Sequence, residues 1–259
     1  MVENDSMSMS SKYYEEKFES LTSKGLFGMV HNYMHRSLES RNKTEQHIDK
    51  VLELGSGNLR HLKYVRHTFN EYHNIDIRMN LMTQYSDKHR IDLTWSLDHK
   101  HASFLKCQEN GHNSRIYFHE ISAHDLAYFP DSYFDRIVAT CLIQHVTEVE
   151  KACAELRRVV RPGGTLSIYI HSEPGMVLRS FRMMFLHKVH DDYGTKHIKF
   201  VETEHRYSFL FCKNLLKNVF SKDNIEFTSY PLRHLSWNFS FWKIARITIN
   251  SKETESVNL

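Results

Sequence analysis

Val51-Leu52-Glu53-Leu54-Gly55-Ser56-Gly57 is a short apolar run that ends in two glycines one residue apart. Its length and composition predict a buried strand, over Val51–Leu54, running into a tight turn. Glycines let the backbone of such a turn approach a ligand closely. Asp76 follows at the distance of the end of the next strand. A glycine turn and a carboxylate at two neighbouring strand ends are the means by which a parallel α/β sheet builds a nucleoside site, the carboxylate taking the ribose hydroxyls.

Outward from this stretch, strand and helix signals alternate. The spacing of Leu62, Val65 and Phe69 predicts a helix over Leu59–Phe69, followed by a strand over Glu71–Ile77. Further strands are expected at Ile116–His119, Phe134–Thr140 and Thr165–Ile170. An amphipathic helix at Val149–Val160 precedes the last of these and is broken by Arg161-Pro162-Gly163-Gly164. Strands alternating with helices through short turns predict a doubly wound, mostly parallel sheet. Two segments stand outside the repeat. Asp87–Asn113 is a longer polar connection with a helix expected in its second half. Pro174–Phe209 is an insertion with a Met/Phe-rich helix and a polar loop at Asp191–Lys196. A helix at Phe211–Phe220 and two aromatic-rich strands ending in Phe241–Ile249 close the pattern. Helical material is expected from Tyr13 to Leu38.

The bulk properties exclude several classes. A chain of 259 residues holds one α/β core with appendages. A net charge of +3, with no dense Lys/Arg run, gives no footprint for nucleic acid. No apolar stretch is long enough to span a bilayer, and the first residues do not read as a secretory signal. Cys107, Cys141, Cys153 and Cys212 lie far apart with no CxxC pair, which predicts reduced thiols in a cytoplasmic protein and neither a disulfide frame nor a metal site.

Three punctuated segments then line up: Glu53-Leu-Gly55-Ser-Gly57, Pro130-Asp131-Ser-Tyr-Phe134-Asp135, and Arg158-Val-Val-Arg161-Pro162-Gly163-Gly164. Their order and spacing, with Asp76 between the first and second, resemble the class I S-adenosylmethionine-dependent methyltransferases, in particular the small-molecule, methyltransferase type 11-like group. The resemblance covers roughly residues 48–172. It implies a Rossmann-like seven-stranded sheet with an N-terminal helical cap and an insertion after the fifth strand, and S-adenosyl-L-methionine as cofactor. It divides the chain into a cap (1–50), a cofactor-binding core (51–172), an acceptor-pocket insertion (173–210), the last helix and strands (211–250) and a tail (251–259). Position by position, it implies that Gly55, Ser56 and Gly57 lie under the methionine part, that Glu53 neighbours its ammonium, and that Asp76 accepts both ribose hydroxyls. The adenine loop falls on Glu120–Asp125. Ser122 stands where the family has an acidic residue, so Ser122 or Asp125 takes the adenine amine beside Ala123. Thr140 and Cys141 line the floor beside the reactive methyl. The third glycine of the loop is replaced by Leu59 or Asn58, a departure that disfavours a pyrophosphate ligand.

The resemblance implies a small-molecule acceptor methylated on oxygen or nitrogen. An alcohol acceptor benefits from a general base, and histidine suits that task near neutral pH. The candidates are His145 after the fourth strand, His171 at the end of the fifth, and His205 in the Glu204-His205-Arg206-Tyr207 run. A non-catalytic methyltransferase-like subunit that keeps the nucleoside pocket is the alternative from another class. Oligomeric state is not legible.

Overall fold

The computed structural model describes residues 25–107, 113–186 and 205–251. Its strands are β1 (His47–Leu54), β2 (Thr68–Asp76), β3 (Thr94–Trp95), β4 (His101–Cys107), β5 (Asn113–Glu120), β6 (Phe134–Ala139), β7 (Val160–His171), β8 (Asn224–Tyr230) and β9 (Trp242–Thr248). Its helices are α1 (Gly25–Leu38), α2 (Met79–His89), α3 (Val149–Val159), α4 (Met176–Leu186) and α5 (Phe209–Val219).

All nine strands among the described residues belong to one mixed sheet, ordered β3-β4-β5-β2-β1-β6-β7-β9-β8. The segment β5-β2-β1-β6-β7 is parallel throughout. β9 runs antiparallel between β7 and β8. The chain steps outward from β1 to β2 and β5, then returns to β6 on the other side of β1. That reversal leaves a crevice at the carboxyl ends of β1 and its neighbours, the position where open α/β sheets bind ligands.

Two expectations are corrected. The sheet has nine strands where seven were expected, because the Asp87–Asn113 connection supplies β3 and β4 in place of a helix. Ala102 and Phe104 alternate onto the buried face of β4, and Phe104 stacks on Phe118 of β5. That two-residue period suits a strand and wastes a helix. The second correction falls directly after the glycine turn. No helix spans Leu59–Phe69: one 3-10 turn at Leu62–Tyr64 leads into β2, which starts at Thr68. Leu62 and Phe69 are buried, as their spacing suggested, but they reach the core from a turn and a strand.

Apolar side chains cover both faces of the sheet. On one face α3 and α5 pack over Leu52, Leu54, Ile137, Leu166 and Ile168. On the other, Met82 of α2 joins Val51, Tyr72 and Ile116, while Met34 and Leu38 of α1 meet Val138, Tyr169, Trp242 and Ile244. A buried ionic knot fixes the end of α1: Arg136 of β6 donates to Glu39 at 3.2 Å, and His61 Nε2 lies 2.9 Å from the same carboxylate. Both ions are fully buried, so each depends on the other for solvation. The expected helix from Tyr13 is described only from Gly25, and the Asp191–Lys196 loop lies outside the described residues.

Candidate functional site

The turn after β1 is built on left-handed backbone, with φ of +67° at Gly55 and +51° at Gly57. A Cβ at Gly55 would stand 3.1 Å from the Leu142 side chain, so the left-handed backbone and the close approach both favour glycine here. The turn is tied to the end of β2: Gly55 N donates to Ile75 O at 2.9 Å, and Gly57 N donates to Asp76 Oδ2 at 3.0 Å. Leu59, at the position of the missing third glycine, also has positive φ (58°), and its side chain is buried against Phe69 and Tyr72.

Ser56, Gly57 and Asp76 line a small open cleft together with Asn74, Arg78, Met82, Phe118 and His119. Asp76 Oδ1 accepts from the Arg78 backbone N (3.1 Å) and Nε (3.0 Å), and Arg78 Nη2 reaches Oδ2 at 3.3 Å. The guanidinium therefore lies across the carboxylate that a ribose would use. Asn74 sits two residues before Asp76 on β2. Its Nδ2 donates to Tyr117 O at 3.1 Å, and its buried Oδ1 has no hydrogen-bond partner. A buried acceptor left open is costly unless something donates to it. With the side-chain-free cradle at Gly55 and Gly57, it makes the cleft fit for a nucleoside that brings hydroxyl donors.

The other expected cofactor residues are dispersed. Glu53 does not line the cleft: its buried carboxylate accepts from Tyr72 OH at 2.9 Å and Thr140 Oγ1 at 3.4 Å, and burial raises its pKa. In the adenine loop, Ser122 Oγ lies 2.9 Å from His124 Nδ1, Ala123 packs in the core and Asp125 is exposed. None of these three lines the cleft.

On the β6 side of the turn, all three histidine candidates and Cys141 come together. Cys141 follows β6, has φ of +60°, and places Sγ 3.0 Å from His171 Nε2 at the end of β7. The ring of His205 lies 4.7 Å, centre to centre, from that of His171 and 4.6 Å from that of His145. Burial pushes the Cys141 thiol up to about 12 and holds His171 well below the usual imidazole range. Burial, then Arg182, lowers His205 to about 3. Thiol and both imidazoles are thus neutral at pH 7.

Two residues that sequence reasoning missed hold this cluster. Gln144, buried, accepts from His171 N at 2.7 Å and donates to Tyr207 O at 2.9 Å, so it ties β7 to the segment carrying His205. Glu173 pairs with both His205 and Arg182. Neither has a local signal. Asn74 had one, since alternate residues of a strand share a face and Asp76 was already named.

Residues 52–168 match the model of a family described as "Methyltransferase domain". A ubiquinone/menaquinone biosynthesis C-methyltransferase of Francisella tularensis subsp. novicida is 40% identical over 73 residues, which cover 28% of this chain and 26% of that protein. The chain thus spans about a quarter of the length of the curated relative it matches. Among solved structures, an N-methyltransferase of Bradyrhizobium japonicum in complex with S-adenosyl-L-homocysteine superposes with a TM-score of 0.55 at 13% identity, covering 95% of this chain and 98% of the other. A [4+2]-cyclase gives 0.54 at 12% identity, covering 88% and 84%. One fold therefore carries different chemistries, and the site must decide between them. Residues 52–168 belong to the methyltransferase domain family, and the sheet built around them has the fold of the class I S-adenosylmethionine-dependent methyltransferases.

Proposed function

We propose that this chain transfers a methyl group from S-adenosyl-L-methionine to an oxygen or nitrogen of a small polar acceptor, such as a sugar, a nucleotide-linked sugar or a specialised metabolite. The observation that carries this reading is the gathering of His145, His171 and His205 beside the glycine turn. On the donor side, Asp76 and Asn74 offer acceptors for the ribose hydroxyls, and Gly55–Gly57 leaves room for the methionine part. When bound, the cofactor supplies an electrophilic methyl group. The chain then has to align the acceptor in line with it, exclude water and receive a proton. His145, half-buried like His171 and His205, follows β6 and is the candidate to receive that proton. The insertion 173–210 and the cap 1–50 are assigned to the acceptor pocket. Three free cysteines, Cys141, Cys153 and Cys212, accord with a reducing, cytosolic setting.

Two observations favour other readings of the same site. The 73-residue likeness to a C-methyltransferase favours a carbon acceptor. Arg78 lying across Asp76 favours a non-catalytic subunit with a closed ribose site. Calorimetry with S-adenosylhomocysteine, followed by turnover of labelled methyl donor with a metabolite pool, separates them. Binding lost in Asp76→Ala, together with label on a heteroatom of the product, supports the proposal. Equal binding by wild type and Asp76→Ala refutes the ribose assignment. Label on carbon, or binding without any transfer, selects one of the two others.

A further inference from the structure

Cys141 Sγ, His171 and His205 each offer a ligand atom within 4.8 Å of the others, although they come from the end of β6, the end of β7 and the segment before α5. In a tetrahedral zinc site, with arms of about 2.0–2.3 Å, ligand atoms stand about 3.5 Å apart, so small side-chain adjustments suffice to close this set on an ion. The outer contacts point the same way. His171 Nδ1 lies 3.0 Å from Tyr169 OH, which leaves Nε2 directed at the thiol. His205 Nδ1 is engaged by the Glu173 carboxylate, which leaves Nε2 as the nitrogen it has to offer. Metal-ligating imidazoles are oriented in this way, with the second ring nitrogen held by a carboxylate, hydroxyl or carbonyl. A thiol–imidazole hydrogen bond between Cys141 and His171 would account for one oriented ring. It leaves the second, with its carboxylate, unexplained.

We propose that Cys141, His171 and His205 bind one zinc ion, with the fourth position open to water or to the acceptor's heteroatom. One thiolate with two imidazoles suits a borderline-soft divalent cation, and three protein ligands with an open position is the arrangement of a catalytic rather than a structural zinc site. The thiol proton leaves to solvent on binding, so one proton is released per ion. Arg182 is the opposing charge, and its pairing with Glu173 offsets it. The earlier expectation of no metal site rested on local cysteine spacing, to which ligands drawn from three distant segments are invisible. Binding of the ion is independent of methyl transfer; only its use on the acceptor rests on the function proposed above.

The test uses the full chain, stripped with a chelator and titrated with Co²⁺ as an optical probe, then with Zn²⁺ in competition. Expected are a thiolate-to-cobalt charge-transfer band saturating at one equivalent per chain, its loss in Cys141→Ser, and its retention in Cys107→Ser. Glu173→Gln, which spares all three ligands, is expected to weaken the ion by roughly 10- to 100-fold. Circular dichroism checks that each variant is folded, and His205→Gln replaces Cys141→Ser if the latter is not. No band in the folded wild type, or an unchanged band in the folded ligand variant, overturns the site. Methyl transfer that fails while the band persists counts against the proposed function and leaves the zinc site standing.

Discussion

Acidification is expected to unfold this protein well above the pH at which its carboxylates titrate, because it buries neutral histidines. Burial, reinforced by Arg60 and Lys63, lowers His31 to about 3. Burial and then Arg136 lower His67 to about 4. Burial and then the rings of His73 and His101 lower His119 to about 2. His35 and His73 shift in the same direction, again chiefly through burial. In the unfolded chain each histidine titrates near 6.5. Between that value and the folded one, the unfolded state holds one more proton per histidine than the native state. Stability is therefore complete above about pH 6.5 and is lost as the pH falls.

For His31, His67 and His119, integrating the linkage relation from pH 7 to 5.5 gives a loss of about 1.2 kcal/mol each, about 4 kcal/mol together. A domain of ordinary stability has about 5–15 kcal/mol in all, so the loss is a large share of it. Urea unfolding followed by circular dichroism at a series of pH values, with the m-value held as a check on two-state behaviour, measures it directly. His119→Gln is expected to reduce the loss between pH 7 and 5.5 by about 1.2 kcal/mol, whatever it does to stability at pH 7. An unfolding free energy that stays within about 1 kcal/mol between pH 7 and 5.5 would refute the argument, since it would mean that these rings are charged or hydrated in the native state.

Two substitutions test the donor side. Arg78→Ala removes the guanidinium that competes for Asp76 while leaving the Gly57–Asp76 hydrogen bond in place. A partly exposed ion pair is worth about 0.2–1 kcal/mol, so S-adenosylhomocysteine is expected to bind up to about fivefold tighter by calorimetry, and weaker binding would show that Arg78 serves the ligand instead. Leu59→Gly relieves left-handed strain of about 1 kcal/mol and removes a leucine whose burial is worth about 2–5 kcal/mol. A net loss of stability in urea denaturation is expected, and a gain would show that the strain outweighs the packing.

Elements with a local cause were legible in the chain. The turn Gly55–Gly57, the strand end at Asp76, the strand from Phe134 and the helix from Val149 each follow from a period or a backbone requirement confined to a few neighbours. Asp135, at the entry to that strand, ties it to β1 by accepting from Lys50 N at 2.7 Å. The hairpin of β3 and β4 was missed because Phe104 shows its role only beside Phe118, on a strand laid down later. His145 and His171 were named from their places at strand ends and His205 from the Glu204–Tyr207 run, each by itself. Their union with Glu173 and Gln144 was invisible, because it depends on where three connections return.

The absent helix after the glycine turn bears on which ligand the crevice accepts. A pyrophosphate is held by the unpaired N–H groups and positive dipole end of a helix that begins at such a turn. Here the chain turns at Leu59 into a single 3-10 turn and then into β2, so no α-helix begins at the glycine turn itself. What shapes the turn is hydrogen bonding to its neighbours: Gly55 N to Ile75 O, Leu59 N to Ser56 O, and Gly57 N to Asp76. These hold the left-handed backbone at Leu59 without a glycine, which frees that side chain to pack beneath the cleft. A site with a carboxylate and an open amide oxygen, and no helix starting at its glycine turn, is poor for a dinucleotide. It suits a cofactor that brings hydroxyl donors and a cationic centre, because no positive helix end rises from the glycine turn against the sulfonium.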